Sequence, residues 1–506
     1  MEKVTHIINS LEKIAQEQPN QVVFQDVNHH YTYADLQEKS NHVAAYIDAH
    51  IAEGPIVVYG GQEFEMIASF VGCTKAGRAY IPIEKSTPFE RFQLICSVAH
   101  PAAIIFTEEA LPKEELEQLG EIPTLLYKEI PTADYTISHP VEGDDTYYII
   151  FTSGTTGVPK GVQISHDNLV SFVNWELSED FAIGEGKRFL SQAPYSFDLS
   201  VMSVYPALLS GGSLAPLTKE VINDFKTLFE VLPKLEVNVW VSTPSFMDIC
   251  LMDPNFNGET LPTLTHFLFC GEELPKATAQ KLVDRFPQAH IFNTYGPTET
   301  TVAISQIEIT QEVIDASDRL PIGYVKEDTH VYILDENTPV AAGEVGEIVI
   351  AGPSVSKGYM NNKEKTEEVF FTYEGQPAYR TGDAGHMEAD GLLRYDGRMD
   401  FQVKLHGYRM ELEDIDHHLN EVSYVKQAVV VPKYKDHKVQ QLVAYVIVEN
   451  NPFEKPFQLT KAIKEEMQET VMEYMIPQRF VYVDQLPLTQ NGKIDRKGLI
   501  NEVNNT

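Results

Sequence analysis

Apolar positions recur at helical spacing over residues 5–18, where Ile7, Ile8, Leu11, Ile14 and Ala15 fall on one face. Beyond them, short all-apolar runs predict buried strands at Ile56–Tyr59, Tyr80–Ile83, 102–106 and Tyr147–Phe151. Helical patterns over 34–51, through Ala76 and around 88–98 separate those runs. The alternation resumes with predicted helices over 167–176, 199–209 and 224–235, and another through Phe286. Predicted strands lie near Phe189, over Val237–Val241, over Thr265–Phe269 and over His290–Asn293. Strands alternating with helices in this way predict an α/β fold with parallel sheets. From about 320 the texture changes. Short β runs (330–334, 346–351, 391–395) alternate with Gly and Asn turns, which predicts a β-rich subdomain. After Asp400 the pattern reads strand, helix, strand, strand, helix, strand, an α+β arrangement of its own.

The chain has 506 residues, more than one ordinary core, so several domains are expected. We expect a large N-terminal domain over 1–399, a hinge at residue 400 and a small C-terminal domain over 401–506. Charge marks the same break. Residues 401–506 carry 13 basic and 15 acidic side chains, so nearly all of the net charge of −35 resides in 1–400. Such a balance argues against nucleic acid and against general affinity for anionic membranes. Cys73, Cys96, Cys250 and Cys270 are scattered without Cys-x-x-Cys spacing, which fits neither a disulfide framework nor a zinc site. The first residues hold no apolar core after a basic start, and no apolar run approaches a membrane span. A cytoplasmic location is the expectation, with no direct membrane insertion.

The candidate chemistry begins directly after a predicted strand, at Phe151-Thr-Ser-Gly-Thr-Thr-Gly-Val-Pro-Lys-Gly161. Its glycines let backbone N–H groups approach an anion, its hydroxyls add donors, and Lys160 adds a point charge suited to phosphate. It is not a Walker A loop, which ends in Gly-Lys-Ser/Thr. By itself this is a polyphosphate loop or a flexible turn. Three further stretches stand at a distance: Asn293-Thr-Tyr-Gly-Pro-Thr-Glu299, Tyr379-Arg-Thr-Gly-Asp383 with Gly397-Arg-Met-Asp400, and Leu488-Thr-Gln-Asn-Gly-Lys493. Together, in this order, the four stretches resemble the adenylate-forming superfamily over nearly the whole chain. Ala193-Pro-Tyr-Ser-Phe-Asp-Leu-Ser200, Ser242–Phe246, Phe267–Pro275 and Lys404–Glu411 are most similar to the D-alanine–D-alanyl carrier protein ligases within it.

The resemblance implies the adenylate-forming fold, with a mobile C-terminal domain, and a ligase that forms a carbon–sulfur bond in two steps. A D-alanine carboxylate attacks the α-phosphate of ATP, and a phosphopantetheine thiol on a separate D-alanyl carrier protein then takes the acyl group. The wider role implied is D-alanylation of lipoteichoic acid. The alternative is a ligase for another small amino acid or an acyl-CoA synthetase. Thr152, Ser153, Gly154, Thr155 and Thr156 match the ATP-phosphate loop, with Lys160 a helper. Asn293, Thr294, Tyr295, Gly296, Pro297 and Thr298 match the adenine side, where Tyr295 stacks on the base, and Glu299 matches the holder of Mg2+. Asp383 matches the ribose carboxylate, Tyr395 and Arg398 further nucleotide residues, and Asp400 the hinge. Lys493 matches the catalytic lysine, which also contacts ATP and amino acid. Asp198 matches the carboxylate for the substrate ammonium, although a residue there could also cap a helix. Cys270 and Val302 match walls of the D-alanine pocket.

Leu209-Ser-Gly-Gly-Ser-Leu214 could be mistaken for a phosphopantetheine attachment turn, but its place inside the α/β pattern makes it a tight turn. Lys426, Lys433, Lys435 and Lys438 are the candidate basic patch for an acidic carrier.

Overall fold

A computed structural model describes residues 2–154, 157–435, 437–453, 455–489 and 494–505. The chain forms two compact units. The first takes in Met1–Lys85, Ala99–Ile150 and Gly161–Gly397. The second takes in Ser86–Val98, Phe151–Lys160 and Arg398–Thr506. Two short stretches from 1–399 thus group with the residues from Arg398 onward.

The first unit is built on three sheets. One has nine strands, with His290–Tyr295, His266–Phe269, Val239–Ser242, Arg188–Ser191, Ser213–Pro216 and Val22–Gln25 as successive parallel neighbours. Antiparallel strands close both edges. A second sheet sets Thr124–Leu126, Ala103–Phe106, Ile56–Gly60, Tyr80–Glu84 and Thr146–Thr152 side by side in parallel, with Lys160–Ser165 next. These strands are apolar on both faces because helices cover both, so they read as continuous Val/Ile/Tyr runs. The third sheet pairs His330–Asp335, Thr338–Pro339, Gly346–Ala351, Gln376–Met387 and Phe370–Tyr373 antiparallel, as the Gly and Asn turns predict.

Local chemistry sets several boundaries. Thr32 and Asp35 form a capping box that starts the helix Tyr33–His50. Pro244 stands in the first turn of Pro244–Cys250, under a Thr243 cap. The amphipathic stretch 224–235 is two pieces, an α-helix Phe225–Val231 and a 3-10 turn Leu232–Leu235. Pro233 lacks the N–H that would continue the α ladder. Leu209–Leu214 is the turn from the helix Val201–Leu209 into the strand Ser213–Pro216. A Cβ on Gly212 would stand 2.1 Å from the Lys187 carbonyl oxygen, so the backbone pass there needs glycine.

The second unit holds a two-stranded hairpin, Gln402–Leu405 with Tyr408–Glu411, and a sheet of Val425–Lys435, Lys438–Val448 and Arg479–Tyr482. Helices Leu412–Glu421 and Pro456–Met467 bury Ile415, Leu419, Ile463 and Met467 in one core with Val430 and Ala444. Lys433, Lys435 and Lys438 lie at the turn of the long hairpin, where Lys438 is buried. Among the described residues no helix is long and apolar enough to cross a membrane.

One buried group carries a stability prediction. Glu176 ends the helix His166–Glu176 at 0% exposure, and neither carboxylate oxygen has a hydrogen-bond partner among the described residues. Burial pushes its carboxyl well above the usual range. The folded state therefore holds a proton that the unfolded chain sheds above its own pKa of about 4.3. The stability this group contributes is full below that value and is lost as pH rises toward the folded pKa. We expect Glu176→Met, which keeps the bulk and removes the acid, to stabilise the fold by roughly 1–3 kcal/mol at pH 7. In urea denaturation, the gain should shrink as the pH is lowered toward 4.5.

Candidate active site

In the first unit, the strand His290–Tyr295 ends where the predicted adenine-side residues begin. The Tyr295 hydroxyl donates to Asp383 Oδ2 at 2.5 Å across 88 residues, and both side chains are buried. Burial, and then the Asp383 charge, pushes the Tyr295 phenol well above its usual range, so it stays a donor. The Asp383 backbone N–H donates to Thr381 Oγ1, and Thr381 Oγ1 donates to the Ile348 carbonyl, which fixes the strand Gln376–Met387 where it carries the carboxylate. The rings of Tyr295 and Tyr395 lie 6.3 Å apart, and the Arg319 guanidinium stands 4.9 Å over Tyr395. Tyr295, Asp383 and Tyr395, read separately from sequence, are thus one cluster. Asn293 Nδ2 donates to the Pro321 carbonyl and Thr294 Oγ1 to the Phe269 carbonyl, so both lock the strand end in place.

The segment after Tyr295 doubles back. Thr301 and Val302 have φ of 61° and 68°, a left-handed conformation that costs β-branched residues of order 1–3 kcal/mol each. The Ala303 N–H donates to the Thr301 carbonyl at 2.8 Å, closing a three-residue turn around Val302. A Cβ on Gly296 would come within 2.5 Å of Ala303 Cα, so only glycine lets the two backbones pass. The turn aims the Val302 carbonyl at Cys270, whose Sγ lies 3.7 Å away. The two residues predicted to wall a small pocket are in contact, and both are buried.

Glu299, at 0% exposure, accepts a hydrogen bond from the Tyr359 hydroxyl at 2.7 Å on Oε1. The Ser356 N–H holds the Glu299 carbonyl. Among the described residues no group of three or more His, Cys, Asp or Glu could hold a metal. A single fixed carboxylate fits Mg2+, which binds through one or two carboxylates plus phosphate oxygens. Asp198 opens the 3-10 turn Asp198–Ser200 at 7% exposure, and the cap position before it belongs to Phe197. Its charge, with Tyr80 and after burial, pushes the Tyr148 phenol up. The Tyr148 hydroxyl is buried and has no hydrogen-bond partner among the described residues.

In the second unit, the described part of the glycine-rich loop lies against the hairpin 402–411 and the helix that follows it. Ser153 Oγ donates to the Arg409 carbonyl and accepts from the Glu411 N–H, both at 3.2 Å. Lys160 Nζ stands 3.4 Å from Glu411 Oε1. Thr152 Oγ1 is buried without a hydrogen-bond partner among the described residues. A Cβ on Gly154 would meet the Val158 carbonyl oxygen at 2.1 Å. Arg398 Nε donates to Asp400 Oδ1 at 2.8 Å, and Asp400 Oδ1 also accepts from the Gln402 N–H at 3.0 Å. Thr155, Thr156 and Lys493 lie outside the described residues.

A profile of AMP-binding enzymes matches residues 11–360, and a profile of the AMP-binding enzyme C-terminal domain matches 414–493. The chain belongs to the AMP-binding enzyme family. A D-alanine–D-alanyl carrier protein ligase of Lactiplantibacillus plantarum is 57% identical over 99% of both chains. A Streptococcus agalactiae ligase of the same name is 52% identical, covering 98% of this chain and 99% of its own. Among solved structures, a protein of peptide synthesis containing adenylation and PCP domains superposes with a TM-score of 0.82 at 25% identity. That match covers 98% of this chain and 84% of the other. A Vibrio cholerae adenylation domain in complex with glycyl-adenosine-5'-phosphate gives a TM-score of 0.83 at 21% identity, over 99% and 98% of the two chains. The fold expected from the sequence, parallel α/β sheets with a β-rich part and an α+β C-terminal part, is the adenylate-forming fold.

Sequence reasoning assigned no role to Tyr359, Tyr148, Arg319 or Glu411. The contacts of Tyr359, Arg319 and Glu411 cross the chain, where no local pattern announces them. Tyr148 lies in the predicted strand Tyr147–Phe151 and Glu411 ends the stretch Lys404–Glu411.

Proposed function

We propose that this protein activates D-alanine with ATP and passes it to the phosphopantetheine thiol of a separate carrier protein, for D-alanylation of lipoteichoic acid. The observation that carries the reading is the 57% identity to a ligase of that name over 99% of both chains. ATP use goes with membership of the AMP-binding enzymes. Four buried cysteines, none in a disulfide, suit a reducing cytoplasm.

Asp198 holds the substrate ammonium, and Cys270 and Val302 limit the side-chain space to a methyl group. Asp383, its Oδ2 fixed by Tyr295, accepts from the ribose hydroxyls. The adenine lies on the Tyr295 and Tyr395 side, with Gly296 leaving room for the backbone turn. Thr152, Ser153, Gly154, Thr155, Thr156 and Lys160 hold the leaving pyrophosphate, and Arg398 adds charge on the nucleotide. Glu299, oriented by Tyr359, is the residue that would hold Mg2+. That ion neutralises phosphate charge when bound. An oxygen of the D-alanine carboxylate forms a bond to the α-phosphorus, the bond to the bridging oxygen breaks, and pyrophosphate leaves. Lys493 offsets the charge that gathers on the α-phosphate. The carrier thiol then attacks the acyl carbon, AMP leaves with the oxygen that had joined them, and a thioester remains. Asp400 serves as the hinge residue between these steps.

ATP–pyrophosphate exchange over D-alanine, L-alanine, glycine and D-serine tests the reading. Exchange should be strongest with D-alanine. Selection by packing is worth only about 1–3 kcal/mol per methylene, so weaker exchange with glycine and L-alanine is expected. Preference for L-alanine, or no exchange with any amino acid, would overturn it.

A further inference from the structure

We infer that Glu411 is a positioning residue that occupies the phosphate loop as an internal anion, so that the loop holds either Glu411 or pyrophosphate. The inference rests on the reading of Thr152–Lys160 as the phosphate loop. Three observations carry it. Lys160, the cation of that loop, stands 3.4 Å from Glu411 Oε1, and the two side chains are only 12% and 8% exposed. This pair is sheltered from water and from salt, unlike an ordinary surface ion pair. The Ser153 hydroxyl is used twice, donating to the Arg409 carbonyl and accepting from the Glu411 N–H. Those backbone groups belong to alternate residues of the strand Tyr408–Glu411 and lie on one edge, so the hydroxyl sits where a neighbouring strand would pair. Finally, Gln402 Nε2 donates to the same Glu411 Oε1 at 2.7 Å, which holds the carboxylate toward the loop.

A polyphosphate bound to the loop needs the Lys160 charge and a Ser153 hydroxyl free to donate. Both are committed here, and the approaching anion would meet a like charge in a low-dielectric setting. The two occupants are therefore coupled, and each weakens the other by the same factor. The surroundings match. Asp414, in the first turn of the next helix, is fully buried, and neither oxygen has a hydrogen-bond partner among the described residues, although His418 Nε2 stands 3.5 Å from Oδ1. The charged groups near it are Arg91, Lys160, Glu411, His417 and His418.

The consequence falls on the order of the reaction. Once the acyl-adenylate has formed and pyrophosphate has left, Glu411 takes the vacated loop and blocks the return of pyrophosphate. The adenylate is then committed to the thiol and does not revert to ATP.

The test is inhibition by added pyrophosphate in the full-length enzyme, measured on Glu411→Gln, Glu411→Asp and Lys160→Met. E411Q keeps an oxygen for Gln402 and loses only the charge. Pyrophosphate should inhibit E411Q at a concentration about tenfold lower than the wild type, in the range typical of coupled ligands. E411D, with its carboxylate drawn back by one methylene, should fall between. K160M should require a higher concentration than the wild type. A damaged fold weakens binding, so tighter pyrophosphate binding is an outcome that misfolding does not produce. Unchanged or weaker pyrophosphate binding in both E411Q and E411D, with K160M weakened, overturns the role of Glu411 alone. Unchanged binding in K160M overturns the phosphate-loop reading and the inference with it.

Discussion

Lys493→Ala should lower the rate of acyl-adenylate formation by about 10²–10³, the usual cost of removing one group that stabilises charge in a transition state. Transfer from preformed D-alanyl-adenylate to the carrier thiol should stay within about threefold of the wild type, a barrier change under 1 kcal/mol. The asymmetry follows from where charge collects. In the first step a carboxylate closes on a phosphate that already bears charge, and five oxygens share the negative charge around phosphorus. A single ammonium placed there acts most when the charge is most concentrated. In the second step the attacked atom is a carbonyl carbon, and AMP leaves without further crowding of phosphorus. Lys493 closes the stretch Leu488–Lys493, and the C-terminal profile match extends to the same residue. Single-turnover measurements with ATP and D-alanine, set beside the same measurement with synthetic D-alanyl-adenylate, separate the steps. An equal loss in both would assign Lys493 to the stability of the C-terminal unit and remove it from the first step.

Much of the fold was legible because the buried strands are apolar throughout. Ile56–Gly60, Ala103–Phe106 and Val239–Ser242 each lie fully buried, and each stands close to its predicted place. Legibility fell where charge interrupted the pattern. The hairpin Val425–Lys435 with Lys438–Val448 reads as two shorter strands from sequence, because Lys426, Lys433, Lys435 and Lys438 break the alternation while the backbone pairing continues to Lys435 and Lys438. The strand Lys160–Ser165 and the helix Arg496–Asn505 went unread for the same reason, a polar side chain at every second or third position.

The candidate site shows a parallel contrast. Motifs that keep their chemistry within a few residues, such as Asn293–Glu299, announce themselves. Contacts that cross the chain do not. Tyr359 reaches Glu299 from 60 residues away, and Lys160 meets Glu411 across 251. Spacing carries no trace of either, because the partners become neighbours only once separate strands have paired. The left-handed Thr301 and Val302 are a sharper case. Two β-branched residues in sequence predict extended backbone. Tertiary contacts instead force a tight turn, with Thr301 Oγ1 anchored on the Ser354 carbonyl at 2.8 Å.

Asp198→Ala should reduce kcat/KM for D-alanine in adenylate formation by about 10²–10³, chiefly through KM, while KM for ATP stays nearly constant. Truncating one partner of a buried charge pair costs about 3–5 kcal/mol, and each 1.4 kcal/mol is a factor of ten. Exposure of only 7% keeps water from standing in for the lost carboxylate. The Asp198 charge already acts on the buried, unpartnered Tyr148 phenol, so the carboxylate faces surroundings of low dielectric in which an ammonium gains most. D198N, which keeps an amide oxygen, should lose less. Propionate separates recognition from architecture, since it keeps the reacting carboxylate and the methyl group and lacks only the ammonium. If Asp198 recognises the ammonium, D198A should leave the poor activation of propionate nearly unchanged, because propionate brings no ammonium for Asp198 to meet. A fall of the same size for D-alanine and propionate would mean that Asp198 supports the turn Asp198–Ser200 and the helix after it, and some other group would have to meet the substrate nitrogen.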